Sequence, residues 1–389
     1  MQIDFHYYGT YCAALLAGWS PSEALELATA DQFTDCCSKT YLKSAGAPAA
    51  AATTQLQLEM MDLNTDVFGL QNITRIWASF HFLPRDLFVQ KPKHSRIYMN
   101  KYRLICGPNG ALLPETVCLA KEVGTLQAAG MAAHILADTW AHMYFAGTPS
   151  LVINNTDFDF YVIENKDGRE TERPVNFNHN PASADRIEDD YYTNSVFQGS
   201  EKSIMNLGHG RAGHLPDYSF LKYRYLPAWN DFNTVVKDNP SDYWHAFCQK
   251  VYALQFLHGD VPDFENETYA FETVQPYETQ IRAIIEKPQL EACADWKAFG
   301  EQLSGTEIPD FDEHAFLREY VAAPEAEKDD TALGRFVIAA MAQKSMVTNR
   351  IFKSGNMLAG FSADYNRWGF RGIRDYVKLV EVKRGGQHD

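Results

Sequence analysis

The stretch AAGMAAHILADTWAHMYFAGTP, residues 128–149, is strongly apolar, yet His134, Asp138 and His142 interrupt it at intervals of four residues. Four-residue steps in an α-helix advance by only about 40°, so the three side chains share one ridge of a predicted helix. Burying a lone carboxylate is costly unless it is paired or binds a metal. The ridge therefore predicts either a buried metal site or a hydrogen-bonded His–Asp pair that holds helices in register.

The helical patterns along the chain predict a mainly α-helical fold, which we expect to be one multi-helix domain over residues 1–389 around a His/Asp metal cluster. The chain has 389 residues and is 46% hydrophobic, which suffices for a large packed core. Its net charge of −15 argues against a broad basic surface for nucleic acids or anionic membranes. No apolar run reaches the roughly 20 residues of a transmembrane helix. Seven cysteines without a C-x-x-C pair suit a reducing compartment, so we expect a cytoplasmic protein.

The helical pattern is interrupted in the middle of the chain. Ser20, Pro21 and Glu23 form a helix-start signal. The apolar pattern of residues 115–146 is the most convincing indication of a long helix in the sequence. Residues 147–240 are rich in Gly, Pro, Asn, Asp and Tyr, which indicates a loop-rich insertion forming a lid or a cleft wall. Alternation near 157–175 predicts a small β-hairpin within it. Helical periodicity resumes after about residue 240, and residues 383–389 are expected to be a disordered tail.

Further imidazoles and carboxylates occur at four places outside the ridge. They are Asp4 and His6 in QIDFHYYGTY, Asp31 and Asp35 in ATADQFTD, His81 in ASFHFLPRD, and His209, His214 and Asp217 in NLGHGRAGHLPDYS. Each has a simpler interpretation as a solvated acid, a surface histidine or a core histidine. Together they supply the residue types that bind zinc and related divalent ions.

The order of these residues resembles the zinc-dependent phospholipase C superfamily, which includes the fungal single-strand nucleases. That resemblance implies an all-helical enzyme that binds two or three divalent ions, and zinc is the metal that it implies first. It implies metal ligands at Asp4 or His6, Asp35 or Asp31, His81, His134, Asp138, His142, His209 or His214, and Asp217. It makes Asp138 a metal-bridging carboxylate, and Asp35 or Asp31 the catalytic carboxylate near the attacking water.

The chain departs from this superfamily in three respects. It begins with Met, whereas the phospholipases use the free amine of a processed N-terminal Trp as a metal ligand. On the long helix, three residues rather than five lie between the second and third ligands. The closing motif is the looser HGRAGHLPD. A closer resemblance, carried by DFHYYGTY, HILADTWAHMYFAGTP and GHGRAGHLPDYS, is to a family of uncharacterised bacterial proteins and spans roughly residues 1–225.

The sequence thus predicts a metal-dependent hydrolase that cleaves a phosphate ester with metal-activated water. The expected partner is a small or phosphate-containing substrate. The alternative is a structural or sensory metal-binding protein whose closed coordination leaves no position for water. A helical phosphohydrolase of the HD type ranks third, because the only His-Asp dipeptide is His388-Asp389 at the end of the chain.

Overall fold

A computed structural model describes residues 1–56, 59, 67–156, 159–166, 168–178, 183–194 and 207–359. The protein is mainly helical, as predicted, and it also contains a small sheet. The predicted tail at 383–389 lies outside the described residues. That the whole chain forms one domain stays a prediction.

The chain opens with a π-helix over Asp4–Gly9 that runs directly into the first α-helix. The α-helices before the sheet region are α1 Thr10–Leu16, α2 Pro21–Cys36, α3 Lys39–Ala45, α4 Val67–Phe80, α5 Arg96–Tyr102, α6 Leu112–Val123, α7 Leu126–Ala141 and α8 Leu151–Asn154. Those that follow are α9 His209–Ala212, α10 Asn239–His258, α11 Phe271–Val274, α12 Glu278–Glu286, α13 Cys293–Ser304, α14 Ala315–Ala322 and α15 Ala332–Lys353. The predicted start of α2 is confirmed, because Ser20 and Glu23 form a reciprocal capping box.

The prediction of one long helix over 115–146 is wrong. Gly124 adopts a left-handed conformation with φ +69° and ends α6, and the Thr125 side chain then caps α7 by accepting from Ala128 N. Helix α7 ends at Ala141, so His142 is its C-cap rather than a residue of the helix interior. The apolar pattern continues across the break because both helices face the same core.

Helix α7 lies at the centre of the protein. All its residues from Gln127 to Ala141 are buried, and it packs against α2, α10 and α15. Helices α2 and α7 cross closely at Gly130, where an added Cβ would collide with the backbone carbonyl of Leu27. This close approach brings the acidic side of α2 against the His–Asp ridge of α7.

The region 147–240 contains more strand than predicted. Strands β1 Tyr161–Lys166, β2 Arg169–Pro174, β5 Lys222–Tyr225 and β6 Val235–Asp238 form an antiparallel sheet in the order β2-β1-β5-β6. Strands β3 Asn176–Asn178 and β4 Tyr191–Thr193 form a parallel pair. The predicted hairpin is confirmed by β1 and β2, whereas β5 and β6 were too short to recognise by alternation. The Tyr225 ring stacks on both Phe145 and Phe160, which joins this sheet to the segment that follows α7.

None of the described helices is both long and apolar enough to cross a membrane.

Candidate metal centre

Side chains from five parts of the chain meet beside α7. The π-helix contributes His6, helix α2 contributes Asp31 and Asp35, His81 follows α4, helix α7 with its C-cap contributes His134, Asp138 and His142, and the segment from α9 onward contributes His209 and Asp217. They bring ligand atoms within 4.8 Å of one another in three groups: His6, Asp31 and His134; Asp35, His81 and His134; and His142, His209 and Asp217.

The buried carboxylate of Asp138 lies between these groups. Its Oδ1 atom is 3.2 Å from His6 Nε2 and 2.8 Å from the α-amino nitrogen of Met1. Its Oδ2 atom is 3.1 Å from His81 Nδ1 and 3.2 Å from His134 Nε2. Both oxygens therefore face nitrogen atoms from different elements, and a bridging role of Asp138 between metal ions stays a prediction.

Asp31 fixes the orientation of two of these imidazoles. Its Oδ1 atom is 2.7 Å from His6 Nδ1 and 3.2 Å from His134 Nδ1. Because an ionised carboxylate only accepts hydrogen bonds, each of these Nδ1 atoms donates a proton to Asp31. The Nε2 atoms of both histidines consequently point at Asp138. The Nδ1 atoms of His6 and His134 therefore serve as hydrogen-bond donors to Asp31, and their Nε2 atoms are the ones oriented to bind a metal.

Backbone carbonyls orient the other two imidazoles of the centre. His81 Nε2 donates to Thr53 O at 3.1 Å, and His142 Nδ1 donates to His81 O at 2.7 Å. The free nitrogen of His81 faces Asp138 and is 3.1 Å from His134 Nε2. Two imidazole nitrogens at that separation, surrounded by carboxylates, need a proton or a metal ion between them.

The electrostatics of the centre favour bound positive charge. Burial alone lowers the pKa of the His134 imidazole, but Asp138 and Asp35 outweigh it and raise the pKa to about 10. Burial alone lowers the pKa of the Met1 α-amino group, yet Asp138, Asp217 and Asp35 raise it to about 11. The buried carboxylates thus keep the His134 imidazole and the Met1 amine protonated.

We call Asp35, His81, His134 and Asp138 the inner group, and His142, His209 and Asp217 the outer group. In the outer group, Asp217 Oδ1 lies 3.7 Å from His142 Nε2 and 3.2 Å from His209 Nε2. Burial alone would raise the pKa of Asp217, but His209 and the Met1 amine hold it well below its usual range. Two imidazole nitrogens and an ionised carboxylate of the outer group therefore lie close enough together to bind one metal ion.

Two predicted ligands, Asp4 and His214, belong neither to the three groups nor to the close contacts of Asp138 among the described residues. Asp4 uses Oδ1 to accept from Phe5 N at 2.7 Å and Oδ2 to accept from Ala292 N at 3.0 Å. His214 is half-exposed, and its Nδ1 lies 3.1 Å from Asp185 Oδ2. Backbone amides thus occupy both carboxylate oxygens of Asp4, and Asp185 occupies the Nδ1 atom of His214.

Lys250 on α10 also belongs to this centre, although the sequence pattern did not predict it. Its side chain is fully buried, and Nζ donates to Thr10 Oγ1 at 2.5 Å and lies 3.4 Å from Asp31 Oδ2. Thr10 in turn donates to the same carboxylate oxygen at 2.6 Å. The sequence feature that indicates its burial is the position of this lysine inside the apolar run AFCQKVYALQF. A buried cation of that kind requires an anionic partner.

A cavity of about 350 Å³ opens onto both groups. Its lining includes Asp35 and His81 from the inner group, the whole outer group, and Trp77, Phe82, His214 and Met1. The Phe82 ring stacks on His142 with the ring centroids 4.7 Å apart. The volume is in the range of small-molecule sites, so a ligand in the cavity can reach both groups.

Metal content should distinguish His209 from His214. We expect His209→Ala to lose the ion held by the outer group, because the substitution removes one of its two nitrogens. His214→Ala should retain the wild-type metal content, since His214 contacts Asp185 instead. Elemental analysis of the two variants, purified identically without chelator, makes the comparison. Equal loss from both would place His214 among the ligands.

The fold and these groups define a mainly helical protein whose buried His and Asp side chains could hold metal ions. The chain belongs to a family of unknown function, DUF6765, whose model matches residues 1–351. This confirms the predicted resemblance to an uncharacterised family and extends it well beyond residue 225. Neither the curated proteins nor the solved structures contain a significant match. The likeness to the phospholipase C superfamily stays a prediction.

Proposed function

We propose that this protein is a metal-dependent hydrolase of phosphate esters. One observation carries the proposal: the nitrogens and carboxylate oxygens of both groups converge beside a cavity large enough for a small substrate. A structural metal site is normally closed by its protein ligands. Here Asp35 and the outer group line open space, which favours a site that admits water and substrate.

The donor chemistry fits two or three divalent cations, with zinc preferred. The inner group would hold one ion and the outer group a second, and His6 with Asp138 provides a further place. Imidazole with carboxylate is a ligand set typical of zinc, and the hydrogen bonds to Asp31 and to backbone carbonyls are the outer-shell contacts that such ligands need. Bound divalent ions lower the pKa of water towards 7 and neutralise charge on a phosphate.

The two acids on α2 have different surroundings, which separates their roles. Asp31 is fully buried and both its oxygens already accept hydrogen bonds, so we assign it to positioning His6 and His134. The Asp35 side chain is 34% exposed and lines the cavity, with Oδ1 3.6 Å from His81 Nδ1. We therefore propose Asp35 as the catalytic carboxylate nearest the attacking water.

The side chains that line the cavity favour a small ester with an apolar part as the substrate. Trp77 and Phe82 provide aromatic surface, and residues 207–217 of the predicted lid region form another side. His214 is held at Nδ1 by Asp185, which leaves Nε2 available to hydrogen-bond a substrate oxygen. Because the chain carries a net charge of −15, bound cations would provide the attraction for an anionic phosphate.

Hydrolysis of bis-p-nitrophenyl phosphate by zinc-loaded protein tests the proposal. We expect Asp35→Asn to lower turnover at least about 100-fold, because the amide cannot accept a proton from water. Asp263→Asn, an exposed substitution outside the centre, is the matched control and should leave turnover unchanged.

Full metal occupancy without turnover of any phosphate monoester or diester would contradict the hydrolase and favour the structural or sensory alternative. Turnover that Asp35→Asn leaves intact would contradict only the role of Asp35.

A further inference from the structure

Residues 84–106, which we call the basic segment, form a closed loop beside the helical core. Pro84 pairs with Cys106, and Arg85 N donates to Ile105 O at 3.0 Å, so the two ends of the segment meet. Helix α5 lies within it, and Arg103 Nε donates to Val89 O at 3.1 Å across the loop. The segment is therefore a defined structural unit.

Two large apolar side chains of the basic segment face solvent. Ile97 is 73% exposed and Phe88 is 68% exposed, more than any other large hydrophobic side chain among the described residues. A neighbouring turn adds a third: Lys91 Nζ donates to Trp229 O at 2.7 Å, and Phe232, three residues further on, is also exposed. Exposed apolar side chains that cluster commonly mark an interaction site.

The charge of the basic segment is opposite to that of the whole chain. It contains six Lys and Arg residues and one acid, Asp86, in a chain of net charge −15. Lys91 pairs with Asp231 at 3.0 Å. Lys93 and Arg96 are exposed, and within the described part of the chain neither forms an ion pair. Lys93 and Arg96 lie within four residues of Ile97 in the chain, so exposed positive charge and an exposed apolar side chain occur together at the N-terminal end of α5.

We propose that the basic segment docks the protein onto an anionic lipid bilayer. Phe88 and Ile97 enter the interfacial layer, and Lys93 and Arg96 contact lipid phosphates. A bilayer surface suits this combination, because apolar insertion and attraction to anionic lipids reinforce each other without a shaped partner pocket. A nucleic acid would engage the cations and could stack on Phe88, but the aliphatic Ile97 offers no ring for stacking.

This inference does not depend on the proposed hydrolase. It rests on exposure and charge in residues 84–106, whereas the hydrolase rests on the inner and outer groups and the cavity. A protein without phosphatase activity could still bind the bilayer, and an active enzyme could fail to bind it. The two proposals can therefore fail separately.

Co-sedimentation of the full chain with phosphatidylcholine vesicles, with and without phosphatidylglycerol, tests the inference. We expect binding to the anionic vesicles that weakens as salt is raised. The double variant Phe88→Ser/Ile97→Ser should weaken this binding about tenfold or more. Lys93→Glu/Arg96→Glu should abolish the preference for phosphatidylglycerol.

The matched control is Val321→Ser/Met357→Ser, which removes two apolar side chains that are 58% and 53% exposed elsewhere on the surface. It should bind vesicles like the wild type, and thermal melting should show that all variants remain folded. Failure of the wild type to sediment with anionic vesicles would overturn the inference, as would equal effects of the control and the Phe88/Ile97 variant. A dimer that only the Phe88/Ile97 variant dissociates, with no vesicle binding, would also overturn it and indicate self-association.

Discussion

Asp138→Asn is expected to release most of the bound metal and to weaken metal affinity at least about 100-fold, equivalent to about 3 kcal/mol. The reason is geometric: Asp138 faces His6 and His134 through different oxygens, so one substitution alters two places where a cation would lie. The amide also removes the negative charge that offsets burial of these groups. Elemental analysis together with zinc titration of the apo-protein measures the effect.

The control for Asp138→Asn is again Asp263→Asn, which should bind metal like the wild type. A purely structural His–Asp network makes a different prediction. In that case Asp138→Asn would destabilise the fold, by roughly 3–5 kcal/mol for a broken buried ion pair, although the wild-type protein held no metal. Finding that combination would rule out the metal centre.

Chelation is expected to lower the melting temperature of the wild type on the order of 10 °C. Each ion present at about a thousandfold above its dissociation constant stabilises the folded state by about 4 kcal/mol, and at least two ions are proposed. Their removal leaves Asp138 and Asp217 balanced only by protons and the Met1 amine. Calorimetry with and without chelator, followed by zinc addition, measures the shift and its reversal.

Asp138→Asn should show a much smaller chelator effect than the wild type, because most of its metal is already lost. A wild-type melting temperature that chelator leaves unchanged, in protein shown to contain metal beforehand, would contradict a stabilising role for the ions. An equal chelator effect in the variant would instead place the ions elsewhere in the chain.

The four-residue spacing in HILADTWAH predicted the buried polar ridge of α7. Inside an apolar helix, evenly spaced polar side chains must share one face, and the cost of burying Asp138 requires partners. That reasoning correctly anticipated buried His/Asp groups. It extended the helix too far, because the apolar pattern does not show that Gly124 turns left-handed or that His142 ends the helix.

Only the tertiary contacts distinguish candidate site residues that are neighbours in the sequence. Asp31 and Asp35 lie one turn apart on α2, yet one is sealed against Lys250 and the other faces the cavity. His209 and His214 share a glycine-rich stretch, yet only His209 meets Asp217. The two members of each pair have the same residue type and lie in similar sequence surroundings. Only their contacts with residues elsewhere in the chain distinguish their roles.

The helical class, the buried polar ridge on α7 and the residue types able to bind a cation can be predicted from the amino-acid sequence, because they follow from local periodicity and the cost of burying charge. The folded chain is needed to show which imidazole nitrogens face Asp138, which acid reaches the cavity and where Lys250 lies. Those properties depend on contacts between residues up to about three hundred positions apart, such as Asp4 with Ala292, and local patterns carry no information about such pairings.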